Sequence, residues 1–344
     1  MLKEPEFPST RFIGSKTKIL DWIWQCIQDL NFEKTLEPFG GTGAFSFYAK
    51  KKRKTVYYND ILTYNYNSGL ALIENSSIRP SFFEIENCLK FNANQKYSCF
   101  ISKTFQDIYF TNGENAWLDV VVQNINLVED KYKKAILIAA LGQACLIKRP
   151  FNLFHRKNLY LRLNNVERTF NNKTCWDTNF EFYFKKFIDQ YNNAVFSNGK
   201  CNKATNLDVF DLSTDFDLVY LDPPYMSGHG VNYLEMYHFL EGIVSYDNWS
   251  EKIDYTRKNR AMRKNPKIDA WTRKENIPHL LEKVIEKFSG SKVILSYRGD
   301  GYPSKRKISN LFLKYTGKKP AIYSIPYKYV LSERKVSEIL FVSE

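Results

Sequence analysis

The chain has 344 residues, 44% of them hydrophobic and 16% aromatic, which is enough for one large or two ordinary domains with a sizeable core. This composition excludes an intrinsically disordered protein. Its 50 Lys and Arg against 37 Asp and Glu give a net charge of +13, which permits a polyanionic partner without requiring one.

Five apolar or β-rich runs predict the strands of a sheet. In chain order they are Lys34–Phe39, Thr55–Asp60, Phe216–Asp222, Lys292–Tyr297 and Glu338–Val342. Helix-like segments such as Ala44–Lys50 alternate with them. This alternation predicts an open, mostly parallel α/β sheet.

The long stretch between the second and third predicted strands differs in character. Apart from a short piece near Ala194–Phe196, it lacks runs typical of a parallel strand. It contains helix-like runs at Tyr132–Leu146 and Glu181–Tyr191. Its longest apolar run, Ala135–Ile147, is shorter than the roughly 20 residues that a membrane-spanning helix needs, and it predicts a buried helix.

These differences predict two domains. We expect residues 1–65 and 195–344 to form the sheet domain, interrupted by a largely helical insertion at 66–194. Residues 254–279 form a second, basic insertion, because Arg257–Lys274 contains eight Lys and Arg and one Asp.

Glycines follow the first predicted strand. Gly41 and Gly43 of Phe39–Gly43 stand between a strand and a helix, where glycine lets a ligand come close to the backbone. Asp60 ends the next strand 17 residues later, a spacing that suits a carboxylate binding ribose hydroxyls. The loop lacks the full GxGxxG pattern, so a nucleoside without a pyrophosphate fits better. A tight turn with positive-φ glycines is the alternative.

An upstream segment adds a weaker signal. Gly14 and Ser15 predict a turn that positions Lys16 against a ligand carboxylate, with Phe12 as an apolar wall. Ser-Lys turns that open a helix are common, so this segment alone proves little.

Asp222–Tyr225, directly after a buried strand, is the strongest chemical signal. Adenine's amine is a poor nucleophile because its lone pair is delocalised into the ring. Hydrogen bonds from that amine to Asp222 and to the carbonyl of Pro223 would localise the lone pair, while Pro224 helps to fix the backbone. Tyr225 would stack on an extruded base. An ordinary strand-ending turn is the alternative interpretation.

Together these residues resemble the Dam-like family of adenine-specific DNA methyltransferases, in the alpha motif order. Arg11–Lys16 is similar to that family's N-terminal motif and Phe39–Gly43 to its FxGxG cofactor loop. Asp60 resembles its ribose-binding acid and Asp222–Tyr225 its DPPY box. Asp208 resembles the acid near the cofactor's adenine.

Two further features bear on the resemblance. Phe151–Asn152, followed by Arg156 and Asn158, is similar to an FN-plus-Arg element of the family. Phe12 stands where tryptophan or another aromatic can occur, and the basic stretch 254–279 has no match in a compact member.

The resemblance implies a Rossmann-like methyltransferase sheet with a helical DNA-recognition insertion, S-adenosyl-L-methionine as cofactor, and double-stranded DNA as substrate. The expected catalytic residues are Asp222, Pro223, Pro224 and Tyr225. The expected cofactor-binding residues are Phe12, Gly14, Lys16, Phe39, Gly41, Gly43, Asp60, Asp208 and Asp222.

DNA binding with base flipping needs phosphate anchors and residues that replace the extruded base. The candidate anchors are Lys148, Arg149, Arg156, Lys157, Arg162, Arg257, Lys258, Arg260, Arg263 and Lys264, of which Arg149, Arg156, Lys157, Arg257, Arg260 and Arg263 are preferred. The candidate wedges are Phe151, Phe154 and Trp271. Solvated charges and core aromatics are the alternative for each of them.

The leading hypothesis is therefore a site-specific adenine DNA methyltransferase, solitary or paired with a separate restriction endonuclease. Its alternatives are an RNA adenine or DNA cytosine-N4 methyltransferase, and a non-catalytic nucleic-acid-binding relative. Six scattered cysteines without a CxxC pair predict neither zinc nor disulfides, and no metal is expected. The first residues lack a signal peptide, so we expect a cytoplasmic protein without a membrane partner.

Overall fold

A computed structural model describes residues 4–164, 173–227, 229–328 and 336–343. The chain divides into two compact units. The helical unit comprises Met1–Phe12, Leu70–Phe196 and Tyr233–Arg263, and the sheet unit comprises Ile13–Gly69, Ser197–Asn232 and Lys264–Glu344.

The sheet unit contains the strands of the described residues. They are β1 Lys34–Glu37, β2 Thr55–Asn59, β3 Lys203–Thr205, β4 Leu218–Leu221, β5 Met226–Ser227, β6 His229–Gly230, β7 Lys292–Arg298, β8 Ala321–Tyr327 and β9 Val336–Val342. The main sheet has the order β3-β2-β1-β4-β7-β9-β8, and β5 pairs with β6. Its first five strands are parallel, whereas β9 runs antiparallel to both of its neighbours.

The predicted Rossmann-like α/β class is confirmed, and all five predicted strands are present as β1, β2, β4, β7 and β9. The strand expected near Ala194–Phe196 is wrong, because Ala194 ends a helix and the edge strand is β3. β8 was not predicted. Its residues are all partly or fully exposed and include Pro326, as suits an edge strand without a buried face.

Helices cover the sheet and build the other unit. They are α1 Leu20–Ile27, α2 Ala44–Lys51, α3 Thr63–Gly69, α4 Phe82–Leu89, α5 Phe100–Thr104, α6 Asn112–Asn126, α7 Lys131–Ile147, α8 Tyr160–Leu163, α9 Lys173–Asp177, α10 Phe180–Ala194, α11 Tyr233–Val244, α12 Trp249–Lys252, α13 Pro266–Ala270, α14 Ile277–Lys287 and α15 Lys305–Thr316. α1–α3 and α13–α15 lie in the sheet unit, and α4–α12 in the helical unit.

The core of the helical unit is α7. Every residue from Ala135 to Ile147 is buried, as the apolar run predicts, and α10 packs against this helix. α7 begins at Asp130, whose carboxylate accepts hydrogen bonds from the amides of Tyr132 and Lys133 at 2.9 and 3.0 Å. No helix among the described ranges is long and apolar enough to cross a bilayer.

The unit boundaries differ from the predicted domains at α11–α12 and the loop after them. Tyr233–Arg263 belongs to the helical unit, and so does the N-terminal segment. The Tyr109 hydroxyl donates to the carbonyl of Asn259 at 2.7 Å, and the amide of Phe154 donates to the carbonyl of Met236 at 2.9 Å. The basic stretch 254–279 is therefore divided after Arg263. Residues 165–172 of the predicted insertion lie outside the described residues.

The core of the sheet unit lies between the central strands and two helices. Apolar side chains of β1, β4, β7 and β9 pack against those of α14 and α15. The residues on the helix side are Ile277, Leu281, Val284 and Ile285 of α14, Phe288 directly after it, and Ile308 and Phe312 of α15. Burial of each such side chain contributes about 1.5–3 kcal/mol to the stability of the folded protein. This packing fixes the central strands, from which the loops at the strand ends emerge.

Candidate functional site

The three predicted motif loops meet at one edge of the sheet unit. β2, β1 and β4 are adjacent and parallel, so the loops after Glu37, Asn59 and Leu221 leave the same edge. In open α/β sheets, ligands bind at this carboxyl edge. The glycine loop, Asp60 and Asp222–Tyr225 are therefore neighbours, although they are far apart in sequence.

The glycine loop needs its glycines for two reasons. Gly41 and Gly43 have positive φ angles of 52° and 78°, which side chains rarely adopt. A β-carbon at Gly40 would lie 2.0 Å from the Tyr58 ring, whose hydroxyl donates to the carbonyl of Gly41 at 2.7 Å. Apart from Gly41 and its chain neighbours, no atom of the described residues lies within 4 Å of the corresponding position at Gly41, which leaves room for a ligand on this side of the loop.

Asp60 holds that loop to the end of β2. Its carboxylate accepts hydrogen bonds from the amides of Gly41 at 2.7 Å and Leu62 at 2.8 Å. Burial raises the pKa of this carboxyl to about 6. The Asn65 side chain also donates to this carboxylate. A carboxylate can accept about four hydrogen bonds, so about one position remains for a ligand's hydroxyl group.

Glu37 is a buried acid at this edge that sequence reasoning missed. It is the last residue of β1, and its carboxylate accepts from the amide and the hydroxyl of Ser46 at 2.9 and 2.5 Å. Burial raises its pKa to about 8 despite these hydrogen bonds. The sequence feature that could have identified Glu37 is its place at the end of a predicted strand, shortly before the glycine loop.

Asp222 follows β4 and is bound by Lys16. The Lys16 ammonium donates to its two carboxylate oxygens at 2.8 and 2.7 Å, and the Tyr225 hydroxyl donates to Oδ1 at 2.5 Å. Lys16 also donates to the Tyr225 hydroxyl, and its side chain is only 5% exposed. Lys16, predicted to face a ligand's carboxylate, here faces one of the chain's own.

Glu338 completes this cluster and was also missed. It lies on β9 with a fully buried side chain, and its Oε1 accepts from the hydroxyls of Ser296 at 2.6 Å and Tyr225 at 3.1 Å. The Lys16 ammonium lies 3.7 Å from the same oxygen. In the sequence, Glu338 is a single acid at the start of an apolar run, and this pattern alone does not predict a role in a site.

Asp208 lies beside the end of β2. The amide of Leu207 donates to the Asn59 side chain at 2.9 Å, which fixes this segment next to the strand. The Asp208 carboxylate accepts from the amide of Phe210 at 3.0 Å and lies 3.5 Å from the Lys267 ammonium. It is thus at the same edge as Asp60.

The remaining predicted cofactor residues lie in three places. Phe12 is in the helical unit, where its ring stacks on Tyr237 at 3.9 Å between centroids. Gly14 is in the sheet unit and has a φ of 94°. Phe39 packs edge-on against Trp271 at 5.1 Å.

Arg149 is not available as a phosphate anchor, which corrects that prediction. Its guanidinium is 1% exposed and donates to the carbonyls of Leu153, Tyr109 and Arg156, each at 3.1 Å, and to the side chain of Asn158. An arginine with these partners organises the segment that follows it.

Lys148 and Arg162 are buried as well, which removes them from the candidate anchors. Both bind the Glu114 carboxylate, at 2.8 and 2.7 Å. Of the candidate wedges, Phe154 is fully buried and Trp271 is 8% exposed, so both are core residues. Phe151 is 46% exposed with a φ of 61°.

The two basic segments of the helical unit are joined through Asn259. Its side chain donates to the carbonyls of Phe154 at 3.3 Å and His155 at 3.1 Å. Arg156 and Lys157 on one segment and Lys258 and Arg263 on the other are exposed. Arg257 and Arg260 are partly exposed; the former pairs with Glu235 and the latter donates to the carbonyl of Tyr255 at 2.5 Å.

Comparison with known proteins identifies relatives. Type II methyltransferase M2.HphI of Haemophilus parahaemolyticus is 30% identical over 355 residues, covering 100% of this chain and 99% of the relative. Modification methylase StsI of Streptococcus sanguinis is 24% identical over 96% of this chain, which spans 51% of that protein. Type II methyltransferase M.CviAII of Paramecium bursaria Chlorella virus 1 is 21% identical over 88% of each chain.

The same family accounts for most of the sequence. Residues 12–288 match the D12 class N6 adenine-specific DNA methyltransferases. This match extends across both units and includes the glycine loop, Asp60 and Asp222–Tyr225. The resemblance inferred from the motifs is confirmed: the chain belongs to the D12 class N6 adenine-specific DNA methyltransferase family and is an enzyme of that kind.

Proposed function

We propose that this enzyme transfers a methyl group from S-adenosyl-L-methionine to the N6 amine of an adenine extruded from duplex DNA, with Asp222 and the Pro223 carbonyl holding the amine. The observation that carries the proposal is the position of Asp222. It follows β4, the neighbour of the strand that bears the glycine loop, and its carboxylate is bound by a buried ammonium.

The residues at the sheet edge fit a nucleoside cofactor. The open side of Gly41 allows close approach, and Asp60 has free acceptor capacity for ribose hydroxyls. Asp208 lies at the same edge for the adenine ring, with Phe39 beside the loop. When bound, S-adenosyl-L-methionine supplies a methyl group on a sulfonium.

Asp222 can accept a hydrogen bond from the target amine in its present surroundings. Lys16 and Tyr225 together donate three hydrogen bonds to this carboxylate. A carboxylate accepts about four, so one position remains for an amine hydrogen. Lys16 and Tyr225 also fix the orientation of the carboxylate, because they bind both of its oxygens.

The helical unit would hold the DNA. Its two joined basic segments expose Arg156, Lys157, Lys258 and Arg263, which suit contacts with phosphates. Arg257 and Arg260 extend this surface, and Phe151 is the remaining candidate for the space of the extruded base. The overall charge of +13 would add a long-range attraction.

The biological setting follows from the relatives. Two of them are named Type II methyltransferases and one a modification methylase. We infer that this chain protects DNA in a restriction-modification system, beside a separate endonuclease in the cytoplasm.

The test is the identity of the methylated base. The protein is incubated with labelled S-adenosyl-L-methionine and unmethylated duplex DNA, single-stranded DNA or RNA, and the products are digested to nucleosides. We expect N6-methyladenine from duplex DNA. Label found only in RNA, or only on the cytosine amine, would contradict the proposal, and no label in any of them would favour a non-catalytic role.

A further inference from the structure

Glu338 is a buried carboxylate for which the proposed reaction has so far no use. Its side chain is fully buried on β9. Moving a carboxylate out of water is unfavourable unless donors compensate it. Its described donors are Ser296 at 2.6 Å, on the neighbouring strand, and Tyr225 at 3.1 Å, in the Asp222–Tyr225 loop. The loop that carries Asp222 is thereby tied to the antiparallel side of the sheet.

The Tyr225 hydroxyl lies between two carboxylates. Oδ1 of Asp222 is 2.5 Å away and Oε1 of Glu338 is 3.1 Å away. A phenol has one proton, so it can donate to one of them at a time. Its oxygen meanwhile accepts from Lys16, whose ammonium is also 3.7 Å from Oε1 of Glu338.

We propose that Glu338 is a positioning residue that accepts the Tyr225 proton and attracts the Lys16 ammonium while Asp222 binds the adenine amine. This inference rests on the proposed role of Asp222. While Tyr225 and Lys16 donate to Asp222, they compete with the amine for its carboxylate. With Glu338, they can turn to a neighbouring anion through a movement of less than a hydrogen-bond length.

Charge balance supports the same role. Among the described residues one ammonium, that of Lys16, stands between the carboxylates of Asp222 and Glu338, so these three groups together carry a net negative charge when all are ionised. A net negative site stabilises the positive charge that develops on nitrogen as the methyl group arrives. Without the charge of Glu338, Lys16 would cancel that of Asp222. Glu37 and Tyr220 also interact electrostatically with Asp222. Burial raises the pKa of both groups, which favours their neutral forms.

The direct test is Glu338→Gln, which keeps the shape and removes the charge. Single-turnover rates are measured with saturating DNA and cofactor, along with the Kd of S-adenosyl-L-methionine and the thermal midpoint. We expect the rate to fall about tenfold or more, the effect of a hydrogen bond to a charged group, with a nearly unchanged cofactor Kd. Glu282→Gln, which removes a partly exposed acid paired with Lys314, is the control and should keep the wild-type rate.

The double variant with Tyr225→Phe separates positioning from a merely structural role. In Tyr225→Phe the hydrogen bond between the Tyr225 hydroxyl and Glu338 is already absent. Adding Glu338→Gln should therefore lower the rate by only about threefold or less. A residue that only supports the fold would lower the rate by the same factor in both backgrounds. Equal factors would therefore overturn the inference.

Two further outcomes are decisive. If Glu338→Gln does not fold, Ser296→Ala takes its place, because it removes the other described donor to Glu338 and should lower the rate with an unchanged cofactor Kd. A wild-type rate in the variant that folds overturns the inference. Asp222→Ala in the same assay separates the two proposals. If Asp222→Ala is inactive while Glu338→Gln keeps the wild-type rate, the inference about Glu338 fails and the proposed function stands. If Asp222→Ala is fully active, the proposed function fails as well.

Discussion

Tyr58 shows how a single ring can fix the shape of a loop. It occupies the space beside Gly40 and Gly69, and its hydroxyl binds the carbonyl of Gly41. The glycines that the sequence motif offers for close ligand approach therefore serve packing as well. At Gly40 the packing requirement is the stronger one, because a ring carbon lies where a β-carbon would be.

Replacing Gly40 by Ala should destabilise the protein. The added β-carbon would lie 2.0 Å from the Tyr58 ring, and overpacking of this kind costs about 1–3 kcal/mol. Urea unfolding measures the change. Gly290→Ala is the matched control, because no described residue beyond its chain neighbours comes within 4 Å of its β-carbon position. Equal stabilities of the two variants would contradict the packing role of Tyr58.

Glu37 gives the stability a defined pH dependence. Burial raises its pKa from 4.5 to about 8, so the folded protein keeps a proton that the unfolded chain has lost in this range. Its contribution is complete below pH 4.5 and disappears as the pH rises to about 8. Glu37→Gln is neutral at every pH and lacks this term. The unfolding free energy of the wild type should therefore fall relative to the variant between pH 5 and 8; a constant difference would contradict the assignment.

At the scale of elements, one buried arginine organises the segment from Arg149 to Asn158. Its guanidinium binds three carbonyls and one side-chain oxygen, and the segment includes positive φ angles at Phe151 and Asn152. Without the arginine the carbonyls of Leu153 and Arg156 and the Asn158 side chain would each lose this donor, whereas the Tyr109 carbonyl would keep Arg162 at 3.3 Å. The exposed residues Arg156 and Lys157 thus depend on a residue that we do not expect to touch DNA.

Arg149→Lys and Arg156→Ala should consequently behave differently. The first loses most of a fixed hydrogen-bond set and should lower stability by about 2 kcal/mol. The second removes an exposed charge and should leave the thermal midpoint unchanged while weakening DNA binding and reducing the salt slope by about 1. Thermal unfolding and salt titrations of DNA binding measure both. A thermal loss in Arg156→Ala equal to that in Arg149→Lys would contradict this division.

Prediction of elements succeeded where one physical signal dominated. β4 and α7 are buried apolar runs, and their composition and length were sufficient. β3 has three residues and β8 has none that is buried, so neither carried a strand pattern. The burial of Lys148, Arg149 and Arg162 was not visible, because a cationic side chain in sequence predicts exposure. The acid that pairs with Lys148 and Arg162, Glu114, lies on another segment.

At the scale of the whole molecule, the sheet unit contains the glycine loop, Asp60 and Asp222–Tyr225, whereas the helical unit contains Phe12 and the exposed basic segments. The sequence predicted the motif residues, because each follows a recognisable strand. It could not predict Glu338, whose position depends on the antiparallel pairing of the last strand. Nor could it assign Tyr233–Arg263, which joins the helical unit through contacts across more than a hundred residues, such as Tyr109 to Asn259.

The two units should also separate functionally. Asp60→Asn in the sheet unit should weaken cofactor binding, because it weakens the acceptor that we propose for the ribose hydroxyls and that also binds the amide of Gly41. Arg263→Ala in the helical unit should raise the KM for DNA and leave the cofactor Kd unchanged. Isothermal titration with cofactor and steady-state kinetics with duplex DNA check both changes. The opposite pattern would contradict the assignment of the units.

The most direct measurement of the central claim is methyl transfer by Asp222→Ala. Labelled S-adenosyl-L-methionine and unmethylated duplex DNA are used in a single-turnover assay, beside Asp215→Ala, which removes an exposed acid paired with Lys34. The account predicts no detectable transfer by the first variant and the wild-type rate for the second. Wild-type transfer by Asp222→Ala would show that another group holds the target amine.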